Sequence, residues 1–485
     1  MKNFRYILLF LCICSITMNQ SHAEIKLPAI ISSDMVLQRN TTITLWGWAA
    51  PKEKIIIENS WLESSITSIA DSEGKWEIKV KTTNSKKTQQ ITLKSDESSI
   101  TLSNILFGEV WLCSGQSNME RNIQGCCGEP VIKPSLLIAK SNNPNLRLFK
   151  AFNGASKTPK KDLGRHKAWG EASPGFVSSF SAVAYFYGKE LQEMLDCPVG
   201  IILSAWSGSK IEAWISEEAL KKHQEIDLKA LDVKTSPNHQ PILLYNAMIH
   251  PIIPYTIKGA LWYQGESNRE EPKHYTKLLP SMVKDWRSRW GQGNFPFYLV
   301  QIAPYKYLGN QELSISQNSA FMREAQHQCA TLIPNAGIAI TTDIGSEHSI
   351  HPPKKKEVAD RLLLNALNKT YGYTAVDCKG PTYDTHYIKD QGIYLKFKEA
   401  RTGLYSPEEL TGFEIAGKDK VFYPAKAIIT NKHKEVFVKS ERVKQPIAVR
   451  YAWRNYVNAS LYDLSLLPAS TFRTDQWDDA THVTE

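Results

Sequence analysis

The chain has 485 residues, enough for two or three domains, and carries a formal charge of +9 whose basic residues are spread out, which argues against a nucleic-acid partner. No segment beyond the N-terminus is apolar over the roughly 20 residues a membrane helix needs, and no Cys-x-x-Cys pair supports zinc-ribbon or thioredoxin chemistry. Residues 1–23 combine Lys2 and Arg5, an apolar run at 6–18 and the small-residue site Ser21-His22-Ala23, the pattern of a secretory signal peptide. The expected product is exported, periplasmic or secreted, and free of the membrane once the leader is removed.

Residues 24–103 alternate short β-rich runs (TITLWGW, EKIIIEN, KWEIKV, QQITLKS) with turns, the texture of a small antiparallel sandwich. From 104 to 379 strand-like runs alternate with helical patterns such as SAVAYFYGKELQEML, which predicts a parallel sheet covered by helices. From 380 to 485 the texture is β again (GIYLKFK, KAIITN, KEVFVKS), a second sandwich-like region. The run Lys354-Lys355-Lys356, opening a helical pattern, reads as a solvated face.

In open parallel sheets ligands bind beyond the carboxyl ends of the strands. Four apolar runs end there in polar turns: WLC before SGQSN, PVGIILSAW before SGSK, IKGALWY before QGESN, and AGIAITTD before IGSEHSIHPP. A hydroxyl, a base and donors for a developing oxyanion are what acyl transfer requires. Ser117, past Gly115 at a strand-to-helix turn, is the candidate nucleophile, with Ser114 as its rival. Its own N–H, that of Gly208, and a side-chain donor from Gln264 or Asn268 are the candidate oxyanion hole. His351 is the candidate base. No G-x-S-x-G elbow, P-loop or H-E-x-x-H pair is present.

The blocks GQSNM (115–119), WSGS with IEAW (206–214), WYQGESN (262–268), REAQ (323–326) and DIG with IHPPKKKEVADRL (343–362) resemble the sialate O-acetylesterase family of SGNH-type hydrolases. The resemblance implies an α/β fold, a flavodoxin-like SGNH domain with a parallel sheet flanked by β-sandwich regions. It also implies release of O-acetyl groups from sialic acids or sialoglycans through an acyl-serine, without metal or cofactor. Ser117 and His351 take the family's serine and histidine positions, and Gly208 and the QGES segment its oxyanion blocks. Asn118, Glu266 and Asn268 fall within these blocks as supporting residues. The adjacent pair Cys126-Cys127 departs from the pattern.

An aspartate three residues before the histidine is usual in SGNH enzymes, but that position here is His348. Three ways of orienting His351 remain: Asp343 at a rigid strand end, Glu347 from the loop, or a backbone carbonyl in a Ser-His dyad. Asp343 is the expected orienter. Two other functions fit the same residues: an acetylesterase of plant polysaccharide, and a glycan-binding protein whose central domain is inert.

Overall fold

The computed structural model describes residues 24–307, 312 and 314–483; the expected signal peptide at 1–23 lies outside them. Seven strands build the central sheet: β1 (Ser99–Gly115), β2 (Asn143–Ala151), β3 (His166–Ala172), β4 (Val199–Ala205), β5 (Gly259–Tyr263), β6 (Phe297–Val300) and β7 (Ala336–Ala339). Their order is β7-β6-β5-β1-β4-β2-β3. All are parallel except β3, which returns antiparallel along β2. With the β2–β3 hairpin set aside as an addition at one edge, the remaining five strands run 2-1-3-4-5 in space.

The helices that matter for the site are α1 (Ser117–Glu120), α2 (Ala182–Leu195), α3 (Pro272–Trp290), α4 (Ala320–Leu332) and α5 (Lys355–Lys369). Strands β4 and β5 are buried at every position, because helices cover both faces of the sheet. The period of two sorts β5 between the layers. Leu261 and Tyr263 join the core made with Val183 of α2 and Leu362 of α5, while Ala260 and Trp262 join the opposite core with Met282 of α3 and Met322 of α4. Helix α2 begins where the Ser181 hydroxyl accepts from Ala184 N at 3.1 Å, and α3 begins with Pro272, whose missing N–H costs nothing in the first turn.

The boundary expected between 103 and 104 falls inside β1. Residues 99–105 of this strand pair antiparallel with Gln89–Lys94, and residues 109–115 pair parallel with β4 and β5. One strand serves two sheets along its length, and no local pattern marks the change. The N-terminal core (Ile43, Ile55, Trp76, Leu93) accordingly merges with that of the α3/α4 layer. The C-terminal β-rich region has its own core around Ile415, Val436 and Tyr451. It is tied to α4 by buried Arg323, which donates to Ala452 O at 2.8 Å and to Arg454 O at 2.5 Å. No helix among the described residues is long and apolar enough to cross a membrane.

Candidate active site

Strand β1 ends at Gly115 with φ +134°, and a Cβ there would lie 2.1 Å from Tyr263 O, so only glycine lets β1 turn this close to β5. The turn delivers Ser117 as the first residue of α1, where a backbone N–H has no partner within the helix. Beside it, β4 runs into the Trp206–Ser209 turn. Trp206 N donates to Gly115 O at 3.1 Å and Ser207 N to Glu120 Oε2 at 2.6 Å, so the turn is pinned to both β1 and α1. Gly208 takes φ +69° in this turn, a left-handed conformation that favours glycine.

Ser117 Oγ lies 2.7 Å from His351 Nε2, and His351 Nδ1 lies 2.7 Å from Glu129 Oε2. If Nε2 accepts from the serine hydroxyl, the ring proton sits on Nδ1 and donates to Glu129. Arg121 Nη2 donates to the same oxygen at 2.5 Å. Its 2.7 Å approach to Nδ1 is then two donors converging on one acceptor, since two N–H groups cannot bond each other. The other oxygen of Glu129 accepts from Ser349 Oγ at 3.0 Å, and that hydroxyl accepts from His351 N at 3.0 Å. Hydroxyl, imidazole and carboxylate thus stand in series, the order acyl transfer to a serine uses.

The carboxylate at His351 is therefore not the expected one. Asp343 is held by Arg361, with Nη1 at 2.8 Å and Nη2 at 2.7 Å on its two oxygens. The strand ends at Ala339, so Asp343 lies in the turn beyond it, and its carboxylate is spent on the pair with a buried guanidinium. Glu347 is half-buried and pairs with Lys306 at 2.8 Å. Glu129 escapes a reading of the sequence because it follows Ser117 in a loop, away from the strand ends and from the residues before the histidine; its one local signal is the tight turn between Gly125 and Gly128. Asp343→Asn is expected to leave turnover within a few-fold of normal while lowering stability by about 3 kcal/mol, the scale of breaking a buried ion pair, measured by denaturant unfolding.

Gln264 also differs from its expected role. Its amide hydrogens go to Ser209 O (3.0 Å) and Asn268 Oδ1 (2.7 Å), so neither is aimed at an oxyanion. Asn268 in turn accepts from Ile211 N at 2.9 Å and donates to Glu212, bracing the segment after Gly208. The backbone N–H groups of Ser117 and Gly208 remain as the candidate donors. Ser114 is fully buried and its hydroxyl has no hydrogen-bond partner among the described residues, whereas the imidazole faces Ser117.

Beneath the serine, Asn118 Nδ2 donates to Glu266 Oε1 at 2.6 Å and to Ile350 O at 3.0 Å, joining the serine turn to the histidine loop. Lys355 Nζ donates to Asn118 Oδ1 at 2.5 Å. The expectation of a solvated lysine run fails here, because Lys355 turns inward and is buried. Burial pulls its pKa down to about 7, against the attraction of Glu266, and burial pushes the Glu266 carboxyl up. Burial likewise lowers the His351 pKa, Arg121 and Lys355 adding to it and Glu129 opposing. The base must be neutral to accept a proton, so kcat/KM is expected to rise with pH through a midpoint below the ordinary histidine value of about 6.5, read from a pH–rate profile. Side chains that could hold a metal cluster elsewhere, at His223, Glu225 and His274 and at Glu212, Glu271 and His274.

Residues 107–359, just over half of the chain, match the family described as carbohydrate esterase, sialic acid-specific acetylesterase. The chain belongs to this family. This sialic acid-specific acetylesterase family makes it a carboxylic ester hydrolase, and the Ser117–His351–Glu129 series lies inside the matched segment. The Homo sapiens sialate O-acetylesterase is 29% identical over 402 residues, covering 73% of each chain. The Mus musculus sialate O-acetylesterase is 25% identical over 518 residues, covering 92% of this chain and 94% of its own. The crystal structure of a carbohydrate acetylesterase from Xanthomonas citri superposes with a TM-score of 0.85 at 33% identity, over 93% of this chain and all of the other.

Proposed function

We propose that this enzyme hydrolyses O-acetyl esters of sialic acids, free or in sialoglycans, through an acetyl-Ser117 intermediate. The observation that carries the mechanism is His351 standing 2.7 Å from both Ser117 Oγ and Glu129 Oε2. In this reading His351 Nε2 takes the Ser117 proton as Oγ attacks the acetyl carbonyl. The backbone N–H groups of Ser117 and Gly208 receive the oxyanion. His351 then protonates the departing sugar oxygen, and water, activated by the same imidazole, releases acetate. Glu129 holds the Nδ1–H tautomer and balances the imidazolium. The strand order 2-1-3-4-5, with Ser117, Gly208 and His351 each past a strand end, supports an SGNH-type, flavodoxin-like catalytic unit that the N-terminal sheet enters within β1 and that a β-rich region follows from about 380. The signal-peptide pattern read in residues 1–23 supports action in the periplasm or after secretion.

The sialate substrate is supported by the relatives named for it, and its carboxylate calls for a forked cation. Arg323 is spent on the C-terminal region and Arg121 on Glu129. Arg269, three residues beyond Glu266, is partly exposed, stacks 4.2 Å over Tyr307 and pairs at 2.8 Å with exposed Glu270, a solvent-facing partner that a substrate carboxylate could replace, which makes it the candidate for this role. Arg269→Ala is expected to raise KM for an O-acetylated sialate about tenfold, one charged hydrogen bond's worth, with a chromogenic acetate ester unaffected. The Xanthomonas neighbour, described only as a carbohydrate acetylesterase, favours acetylated polysaccharide as the second reading. Acetate release from O-acetylated sialoglycan against acetylated xylan decides between them: faster release from xylan would sink the sialate assignment, and no release from either would return the molecule to glycan binding.

A further inference from the structure

Cys126 and Cys127 are neighbours in the chain, and their sulfurs lie 3.3 Å apart. Both are exposed, whereas Cys113, Cys197 and Cys329 are buried and Cys378 is half-buried. They form the corner of the turn between Gly125 and Gly128, where Gly125, Cys127 and Gly128 take φ values of +76°, +57° and +77°. Glu129 closes that corner: its N donates to Cys126 O at 2.9 Å, and Cys126 N donates to Glu129 O at 3.3 Å. Arg121 joins the two a second time, with Nη1 on Cys126 Sγ and Nη2 on Glu129 Oε2. The carboxylate that faces His351 is thus held, through backbone and guanidinium, by one member of an adjacent thiol pair.

We propose that Cys126-Cys127 is a thiol-oxidation site whose closure to a vicinal disulfide withdraws Glu129 from His351 and reversibly lowers esterase activity. The inference rests on the reading of Glu129 as the group that orients His351. The oxidant is a disulfide, small or carried by a protein. One cysteine thiolate attacks a sulfur of that disulfide, forming a mixed disulfide and expelling one thiol. The neighbouring thiolate then attacks the protein sulfur and expels the second. The two protein thiols lose two electrons and two protons, and the oxidant is reduced to two thiols. Closure brings the sulfurs from 3.3 Å to a bond of about 2.05 Å in an eight-membered ring that contains the Cys126–Cys127 peptide. Cys126 Sγ must then leave Arg121, and the backbone that holds Glu129 must turn with it. A displacement of about 1 Å in a positioning group is enough to lower turnover roughly a hundredfold. Desolvation and the thiol of Cys127 raise the Cys126 pKa, with Arg121 opposing, so closure quickens at alkaline pH.

The test treats the full chain with oxidised glutathione, measures turnover of a chromogenic acetate ester and the mass of the tryptic peptide carrying both cysteines, then repeats both after dithiothreitol. Turnover is expected to fall by about a hundredfold as the peptide loses two hydrogens, and both are expected to recover on reduction. Cys127→Ser is expected to keep the untreated activity and to lose the response. An unmodified peptide, or one stalled as the glutathione adduct, overturns ring closure. A closed ring with unchanged turnover overturns the coupling to Glu129, and equal inhibition of Cys127→Ser overturns the assignment to this pair. Undiminished turnover in untreated Glu129→Gln would instead overturn the reading of the site and with it the coupling, while the peptide mass still reports on the thiols.

Discussion

Ser117→Ala is expected to lower turnover of an acetyl ester on the order of a millionfold, the size of effect found when the nucleophile of a serine–histidine–carboxylate set is removed. His351 Nε2 is 2.7 Å from Ser117 Oγ, and the rival hydroxyl of Ser114 is buried and unpartnered. Among the described residues Ser117 makes its side-chain bond to the imidazole alone. Ser117 is buried, but its truncation removes a single hydroxyl and one hydrogen bond, about 1 kcal/mol, so the melting temperature is expected to stay within a few degrees of the unsubstituted protein. Substantial turnover with an unchanged melting curve would place the nucleophile elsewhere.

The second large effect is expected at Glu129. Replacing it with glutamine keeps its shape but ends the negative charge that fixes the Nδ1–H tautomer and stabilises the imidazolium. Its amide can also turn an N–H toward the ring and favour the wrong tautomer. The corresponding change in a serine protease triad, aspartate to asparagine, lowers kcat about ten-thousand-fold, and a loss on the order of a thousandfold or more is expected here. Glu129 also raises the His351 pKa, so the acid limb of the pH–rate profile is expected to move to lower pH in Glu129→Gln. Steady-state kinetics of Glu129→Gln beside Asp343→Asn is the decisive comparison. A large loss in the aspartate variant alone would reverse the assignment.

The mixed α/β class and the place of Ser117 at a strand-to-helix turn were legible because they rest on local signals. Runs such as VGIILSA can be buried on both faces only in a covered parallel sheet, and GQSN after WLC marks a strand-to-helix turn whose glycine needs a positive φ. Ser117 and His351 could be paired by chemistry although 234 residues separate them, since each stands past a strand end. What could not be read was how long side chains divide the available partners. Asp343 follows the last sheet strand and Glu129 lies in a loop away from the strands, and choosing between them depends on Arg361 reaching Asp343 from α5 and on the Cys126 turn bringing Glu129 round to His351. Lys355 reads as a solvated charge in sequence and is buried against Asn118 in the fold, because the helix phase that decides inside from outside is set by packing on the neighbouring loop. The amino-acid sequence by itself determined the layered α/β architecture and the placement of Ser117 and His351 in turns past strand ends, since backbone periodicity and turn chemistry are properties of a few adjacent residues. Only the tertiary structure decided which carboxylate meets the imidazole, which amides are spent internally and where the N-terminal sheet passes into the central one, since each depends on distances between residues that the chain brings together only when it folds.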